Sequence, residues 1–304
     1  MTIDWRGVFP AVTTQVKPDL SIDIAATQRV VEALVGDGID GIIALGTVGE
    51  NNSLLFEEKV EVLTAILEAV AGRVPVLTGV SEYDLRRAVR YGKAARAAGV
   101  SGLMVLPPMV YVPRPNELIH HFRSVAEQVD LPIMLYNNPP AYRTQIDIAA
   151  LRALADVPNI VALKESAPDT RSYTDILNAF GDRFVLFAGL DDVSLEGMML
   201  GASGWVSGVT NAFPRESAAL VAAVQGGDIA RALEIYRWFM PLLHLDAAHD
   251  LVQSIKLAEQ IMGRGSERVL PPRLPLDGER RAEVIALVER AAATRPTLEA
   301  ASAA

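Results

Sequence analysis

The chain has 304 residues, a net charge of −9, half of its residues hydrophobic and no cysteine. This is enough for one large domain or two ordinary ones with a sizeable core. There is no basic footprint for nucleic acid, and disulfides, thiolate metal sites and thiol nucleophiles are excluded together.

The N-terminus, residues 1 to 6, holds Asp4 and has no basic stretch followed by an apolar one, so no signal peptide is expected. No apolar run approaches the roughly 18 residues that span a bilayer. A cytoplasmic location and a small-molecule partner, with neither membrane nor nucleic acid, are the expectation.

In chain order, Gly7 to Thr14 reads as a first strand. A helix follows, with Ser21 as its cap, apolar positions at Ile24, Val30, Val31 and Leu34, and Gly36 and Gly38 at its end. The next pairs are a strand over 39–46 with a helix over 57–71, and a strand over 74–79 with a helix over 84–98. A strand over 100–106 pairs with a helix over 116–129, and one over 131–136 with a helix over 146–155. The last three strands fall at 160–164, 184–189 and 205–209, with helices over 169–180 and 193–200 between them. The strands are continuous apolar runs, the pattern of parallel sheets covered on both faces. Eight such β/α units predict a closed (β/α)8 barrel, a TIM barrel, with a doubly wound sheet as the alternative. No strand leads into GxGxxG, so a dinucleotide site is not expected. The chain divides into a barrel over 1–213 and a helical region over 214–304 packed on it. In the latter, helices are expected over 217–224, 228–262 and 279–292.

Barrel chemistry sits at the C-terminal ends of strands. That rule selects Gly46-Thr47-Val48-Gly49-Glu50, Tyr136-Asn137-Asn138, Lys164-Glu165, Gly189-Leu190-Asp191-Asp192 and Val206-Ser207. Lys164 is one of only five lysines, against 23 arginines. It follows four apolar residues, where burial lowers an ammonium's pKa and a neutral amine can attack a carbonyl carbon. Pairing with Glu165 or another acid at a strand end is the plainer alternative. Tyr136 falls at the same rim on the neighbouring strand, where its hydroxyl could shuttle protons. The Thr47-Val48 turn could present backbone N–H groups to a carboxylate. Asp191-Asp192 reads as a helix cap rather than a metal pair. All four histidines read as structural, and Tyr236 to Phe239 as a helix or subunit contact.

These residues carry a resemblance over essentially the whole length. The chain resembles the Schiff-base-forming lyases of the dihydrodipicolinate synthase / N-acetylneuraminate lyase family. The matching features are Phe9 to Thr14, the Gly46–Glu50 turn, Tyr136 and Lys164 spaced 28 positions apart, Gly189-Leu190-Asp191, Gly204 to Ser207, and Pro272 to Leu276.

The resemblance implies that Lys164 forms the imine, Tyr136 relays protons and Thr47 hydrogen-bonds Tyr136. It implies that Gly46, Val48, Asn138, Gly189 and Val206 bind substrate, with no cofactor and no metal, in a homotetramer built from tight dimers. Three features depart from the synthase. Val48 replaces a second hydroxyl, Pro108-Met109 stands where a tyrosine pair is expected, and Arg143 is displaced from the place of a carboxylate-gripping arginine. The Tyr136–Pro139, Tyr236–Asp246 and Pro272–Leu276 stretches resemble family members that deaminate 1-pyrroline-4-hydroxy-2-carboxylate. Pyruvate-dependent aldolase, sugar-acid dehydratase, 4-hydroxy-tetrahydrodipicolinate synthase and a non-catalytic 2-oxo acid sensor remain open.

Overall fold

The computed structural model describes residues 3–298. Eight parallel strands alternate with helices: β1 Gly7–Pro10, α1 Ile24–Gly36, β2 Ile42–Ala44, α2 Phe56–Val70, β3 Val76–Val80, α3 Leu85–Ala98, β4 Gly102–Val105 and α4 Pro115–Gln128. The series continues with β5 Ile133–Asn137, α5 Pro139–Tyr142, α6 Ile148–Leu154, β6 Ile160–Glu165, α7 Arg171–Phe180, β7 Val185–Ala188, α8 Ser194–Met199 and β8 Gly204–Ser207. From β2 to β8 each strand pairs in parallel with its neighbour in sequence, and β1 pairs with β8. The seam between β1 and β2 closes just past β1, where Ala11 bridges Ile43 in parallel and the Val12 N–H donates to the Ile43 carbonyl at 3.0 Å. The expected TIM barrel is present.

The two apolar faces of each strand go to different cores. Phe9, Ile43, Leu77, Met104, Met134 and Phe187 pack inside the barrel. Their sequence neighbours, among them Val8, Ile42, Leu103, Ile133 and Leu186, pack outward against the helices. This double burial is why the strands read as unbroken apolar runs.

Four helices complete the chain: α9 Pro214–Gln225, α10 Ile229–Ala247, α11 Leu251–Ile261 and α12 Gly278–Ala293. The expected single run over 228–262 is two helices. The chain turns at Ala248, whose backbone is extended, and Asp250 precedes α11. The cap of α1 also differs: Asp23, not Ser21, accepts the Ala26 N–H. Ser21 is instead engaged by Asp19 through both its N–H and its hydroxyl. The Tyr236–Phe239 segment is a helix contact within the chain: Phe239 packs edge-on against Trp205 and Phe213. Among the described residues no helix is long and apolar enough to cross a membrane.

The C-terminal helices are tied to the barrel by buried polar contacts. Glu259 of α11 accepts from the Thr13 hydroxyl at 3.0 Å and faces the Gln15 amide. Burial pushes its carboxyl up to about 7, although the Thr13 bond and Lys256 oppose the shift. In the unfolded chain this group titrates near its ordinary value, so its own contribution to stability is greatest at low pH, falls as pH rises from there, and is fully lost above about 7. Glu259→Gln removes that dependence. Relative to the parent, the variant is expected to gain on the order of 3 kcal/mol between about pH 4 and pH 8, read from denaturant melts at both pH values.

Candidate active site

The site grows from the register of three strands. Tyr136 of β5 lies opposite Lys164 of β6, which in turn lies opposite Phe187 of β7. All point toward the same end of the barrel. The Lys164 amine stands 4.1 Å from the centre of the Tyr136 ring. Gly189 follows β7 directly beside them. A Cβ there would lie 2.0 Å from the Ser166 hydroxyl and 3.0 Å from Lys164 Cε, so only glycine leaves the lysine its place.

Three lysines are buried: Lys59, Lys164 and Lys256. Lys59 pairs with Glu82 at 2.5 Å and Lys256 with Glu50 at 2.7 Å. Lys164 has no ion pair or hydrogen bond among the described residues, and its neighbour Glu165 is occupied elsewhere. The Glu165 carboxylate accepts from the Asn137 amide and from the Ala167 N–H. Desolvation lowers the Lys164 pKa, partly offset by the fields of Asp246, Tyr142 and Asp191. The plainer expectation, a lysine held by Glu165, is therefore excluded.

Tyr136 has its phenol pushed up to about 12 by burial. Its oxygen accepts from the Asn138 amide at 2.9 Å, and Asn138 in turn caps α5 by accepting the Ala141 N–H. Thr47 does not bond Tyr136, as the resemblance implied. Its hydroxyl lies 3.1 Å from that of Tyr142, and Tyr142 packs edge-on against the Tyr136 ring. The intervening tyrosine comes from α5, a single turn that follows the strand through Pro139-Pro140. Sequence reading passed over it because four residues carry no helical period.

The turn after β2 is held from behind. Thr14 donates to the Gly49 carbonyl at 2.7 Å, and the Asn51 amide donates to the carbonyls of Leu45 and Gly79. Glu50, in the left-handed region at φ 56°, is buried against Lys256 and accepts the Leu270 N–H at 2.7 Å. Thr47 and Val48 are thus presented on a fixed loop. Among the described residues no acceptor takes their N–H groups. Gly46 closes the turn by accepting the Asn51 N–H at 3.3 Å, and Val48 and Val206 join Tyr136 in the barrel's inner core.

Asp191 is not a helix cap. It is fully buried and accepts from Trp205 Nε1 at 2.9 Å, the Ser207 hydroxyl at 3.0 Å and the Val209 N–H at 3.0 Å, tying the end of β7 to β8. Asp192 faces His244 of α10 at 3.0 Å. His121 is buried against the Leu106 carbonyl, and burial pushes its pKa down to about 4. Asp246 of α10, missed in the sequence reading, stands at the mouth within the field of Lys164. Among the described residues no group of three or more His, Asp or Glu side chains could hold a metal ion.

The chain as a whole matches known proteins over nearly its full length. A family model described as "Dihydrodipicolinate synthetase family" matches residues 4–291. The chain belongs to that family, and is a Schiff-base-type lyase. It is 33% identical over 283 residues to the 4-hydroxy-tetrahydrodipicolinate synthase of Methanothrix thermoacetophila, covering 92% of this chain and 95% of the relative. It is 34% identical over 268 residues to that of Mycolicibacterium paratuberculosis, covering 88% of each. Among solved structures, dihydrodipicolinate synthase from Aquifex aeolicus superposes with a TM-score of 0.90 at 29% identity, covering 94% of this chain and 98% of that one. YagE, an E. coli K12 prophage protein of the family solved in complex with pyruvate, gives a TM-score of 0.90 at 29% identity, covering 95% and 99%.

The packing at Gly189 gives a direct test. Gly189→Ala is expected to destabilise the fold by about 1–3 kcal/mol, because the new methyl meets the Glu165 carbonyl at 2.8 Å as well as the lysine stem. Urea denaturation of the two proteins side by side measures it.

Proposed function

We propose that Lys164 is the imine-forming nucleophile of a lyase acting on a 2-oxo acid or a cyclic 2-imino acid. The single observation that carries this reading is that Lys164, alone of three buried lysines, has no carboxylate partner. A structural lysine buried to that degree is expected to be paired. Burial without a partner shifts such an amine toward its neutral, nucleophilic form. The Ser166 hydroxyl beside it is also buried without a hydrogen-bond partner, which fits a site shaped for a polar ligand.

In this reading the substrate carboxylate meets the free N–H groups of Thr47 and Val48. Lys164 attacks C2. Tyr136, protonated at neutral pH, donates to the departing oxygen or nitrogen of the tetrahedral adduct. Tyr142 links its hydroxyl toward Thr47 and the rim. Asn138 acts on the substrate through Tyr136, while Gly189 and Val206 shape the pocket floor. The expected assembly is a homotetramer.

For the substrate we favour 1-pyrroline-4-hydroxy-2-carboxylate and its deamination. Lys164 attack on the ring imine opens it to an amine on C5, and loss of the C3 proton expels the C4 hydroxyl as water, leaving a C3–C4 double bond. Proton shifts from C5 and its nitrogen to C3 and C4 then turn that amine into an imine. Two waters then hydrolyse the C5 and C2 imines, releasing ammonia and 2-oxoglutarate semialdehyde. The site residues fit this because both ends of the reaction are imine chemistry and no second carboxylate must be held. The second reading, 4-hydroxy-tetrahydrodipicolinate synthase, draws on the names of the relatives. Against it, Arg143 is exposed at the end of α5 rather than buried in a carboxylate clamp.

Borohydride added with pyruvate or with the hydroxypyrroline is expected to leave a permanent adduct on Lys164, located by peptide mass spectrometry. Absence of any adduct across a panel of small 2-oxo acids would sink the reading. Tyr136→Phe is expected to lower kcat by about 10²–10⁴. Tyr142→Phe should lower kcat by roughly ten-fold, about 1.4 kcal/mol of barrier, with KM little changed. Steady-state assays on the preferred substrate check both.

A further inference from the structure

One acid at the mouth is supplied from outside the barrel. Asp246 lies in the last turn of α10, and that helix is fixed on the rim by Tyr236, whose hydroxyl bridges the Asp192 carbonyl and the Glu196 carboxylate at 2.7 Å each. From there the Asp246 carboxylate reaches the end of β8. A Cβ on Gly208 would lie 2.3 Å from Asp246 Oδ1, so glycine at that position admits the carboxylate. Asp191, its neighbour, has both oxygens engaged by three donors. Asp246 receives no side-chain hydrogen bond among the described residues and remains partly exposed. Only the Asp191 backbone N–H acts on it as a donor, so it keeps acceptor capacity on the solvent side of the lysine. The fields at the Lys164 amine come from Asp246, Tyr142 and Asp191, and no arginine contributes.

We propose that Asp246 is a specificity-determining residue: it accepts a hydrogen bond from a hydroxyl or N–H on the part of the substrate beyond C2, and it excludes substrates with a second carboxylate there. This rests on the imine reading of Lys164. The first carboxylate is held across the mouth at Thr47 and Val48. A second one, reaching toward β8, meets a like charge in a confined, partly desolvated space, where such repulsion is far stronger than in water. A donor at the same place completes the acceptor capacity that the Asp191 N–H leaves open.

The groups facing Asp246 are Lys164 of β6, Tyr136 of β5, and Asp191 and Asp192 of the turn after β7, with His244 on its own helix paired to Asp192. Burial pushes the Asp246 carboxyl up to about 6, opposed by Lys164. Exclusion is therefore strongest above that pH and fades below it.

Calorimetry on the full chain at about pH 8 compares 2-oxo-3-deoxygluconate, whose tail is hydroxylated and uncharged, with 2-oxoglutarate, whose tail is a carboxylate. The first is expected to bind at least about ten-fold tighter. Asp246→Asn should narrow that ratio about ten-fold, and so should lowering the pH of the parent protein to about 5. Equal or tighter binding of 2-oxoglutarate by the parent overturns the proposal, as does an Asp246→Asn protein with an unchanged ratio. If the variant does not fold, the parent's ratio at the two pH values decides. Borohydride trapping with pyruvate, which has no tail, is run beside it. A missing adduct there removes the imine reading, while the affinity ratio still rules on Asp246.

Discussion

Everything at the mouth of this barrel follows from one buried amine without a counter-ion. Taking an ammonium out of water costs several kcal/mol unless an anion meets it. The chain meets that cost in the ordinary way at Lys59 and Lys256, each in contact with a glutamate. At Lys164 the compensation is weaker: the face of an aromatic ring at 4.1 Å and the fields of two carboxylates that do not touch it. Desolvation outweighs them, and the proton is held loosely. A fold tolerates such a residue only where the surrounding structure is strong enough to carry the strain, and eight closed strands provide that support.

The C-terminal helices are more than a cover for the barrel. Lys256 and Glu259, one turn apart on α11, reach into the loops after β1 and β2. The Glu50–Lys256 pair is fully buried, and it fixes the turn that presents Thr47 and Val48. Breaking such a pair by removing one partner leaves a bare charge in the core, and costs far more than the pair itself contributes. The rigidity of the anion-facing turn is thus set by a helix some two hundred residues away in sequence, and α10 from the same region brings Asp246 to the end of β8 at the mouth.

The barrel and the lysine–tyrosine pair were legible because each rests on a period or a position. Apolar runs mark strands buried on both faces, and strand ends mark the rim, so Tyr136 and Lys164 could be set side by side before any coordinates. The contacts that depend on how helices lie against the barrel were not legible. Tyr142 sits on a single turn after two prolines, too short to show periodicity. Asp246 reads in sequence as one more polar position on an amphipathic helix. Thr47 was assigned to Tyr136 by resemblance, whereas the structure inserts Tyr142 between them. Asp191 read as a cap because an acidic residue before a helix usually is one; its true partners, Trp205, Ser207 and Val209, lie on and just after the next strand and are visible only once β7 and β8 are paired.

The environments of Lys164 and Tyr136 move their protons in the directions imine chemistry needs. The same burial that loosens the proton on the amine tightens it on the phenol, which is pushed up to about 12. Both shifts run toward the state each group needs: the amine toward its neutral form and the phenol toward its protonated form. The first can attack, and the second can give its proton to the oxygen or nitrogen that must leave. Asn138 donates to the phenol oxygen and so favours its ionised form, and it limits how far the phenol's pKa can rise. The amine and the phenol are matched because they share one dry pocket: a substitution that admits water there raises the lysine's pKa and lowers the tyrosine's together.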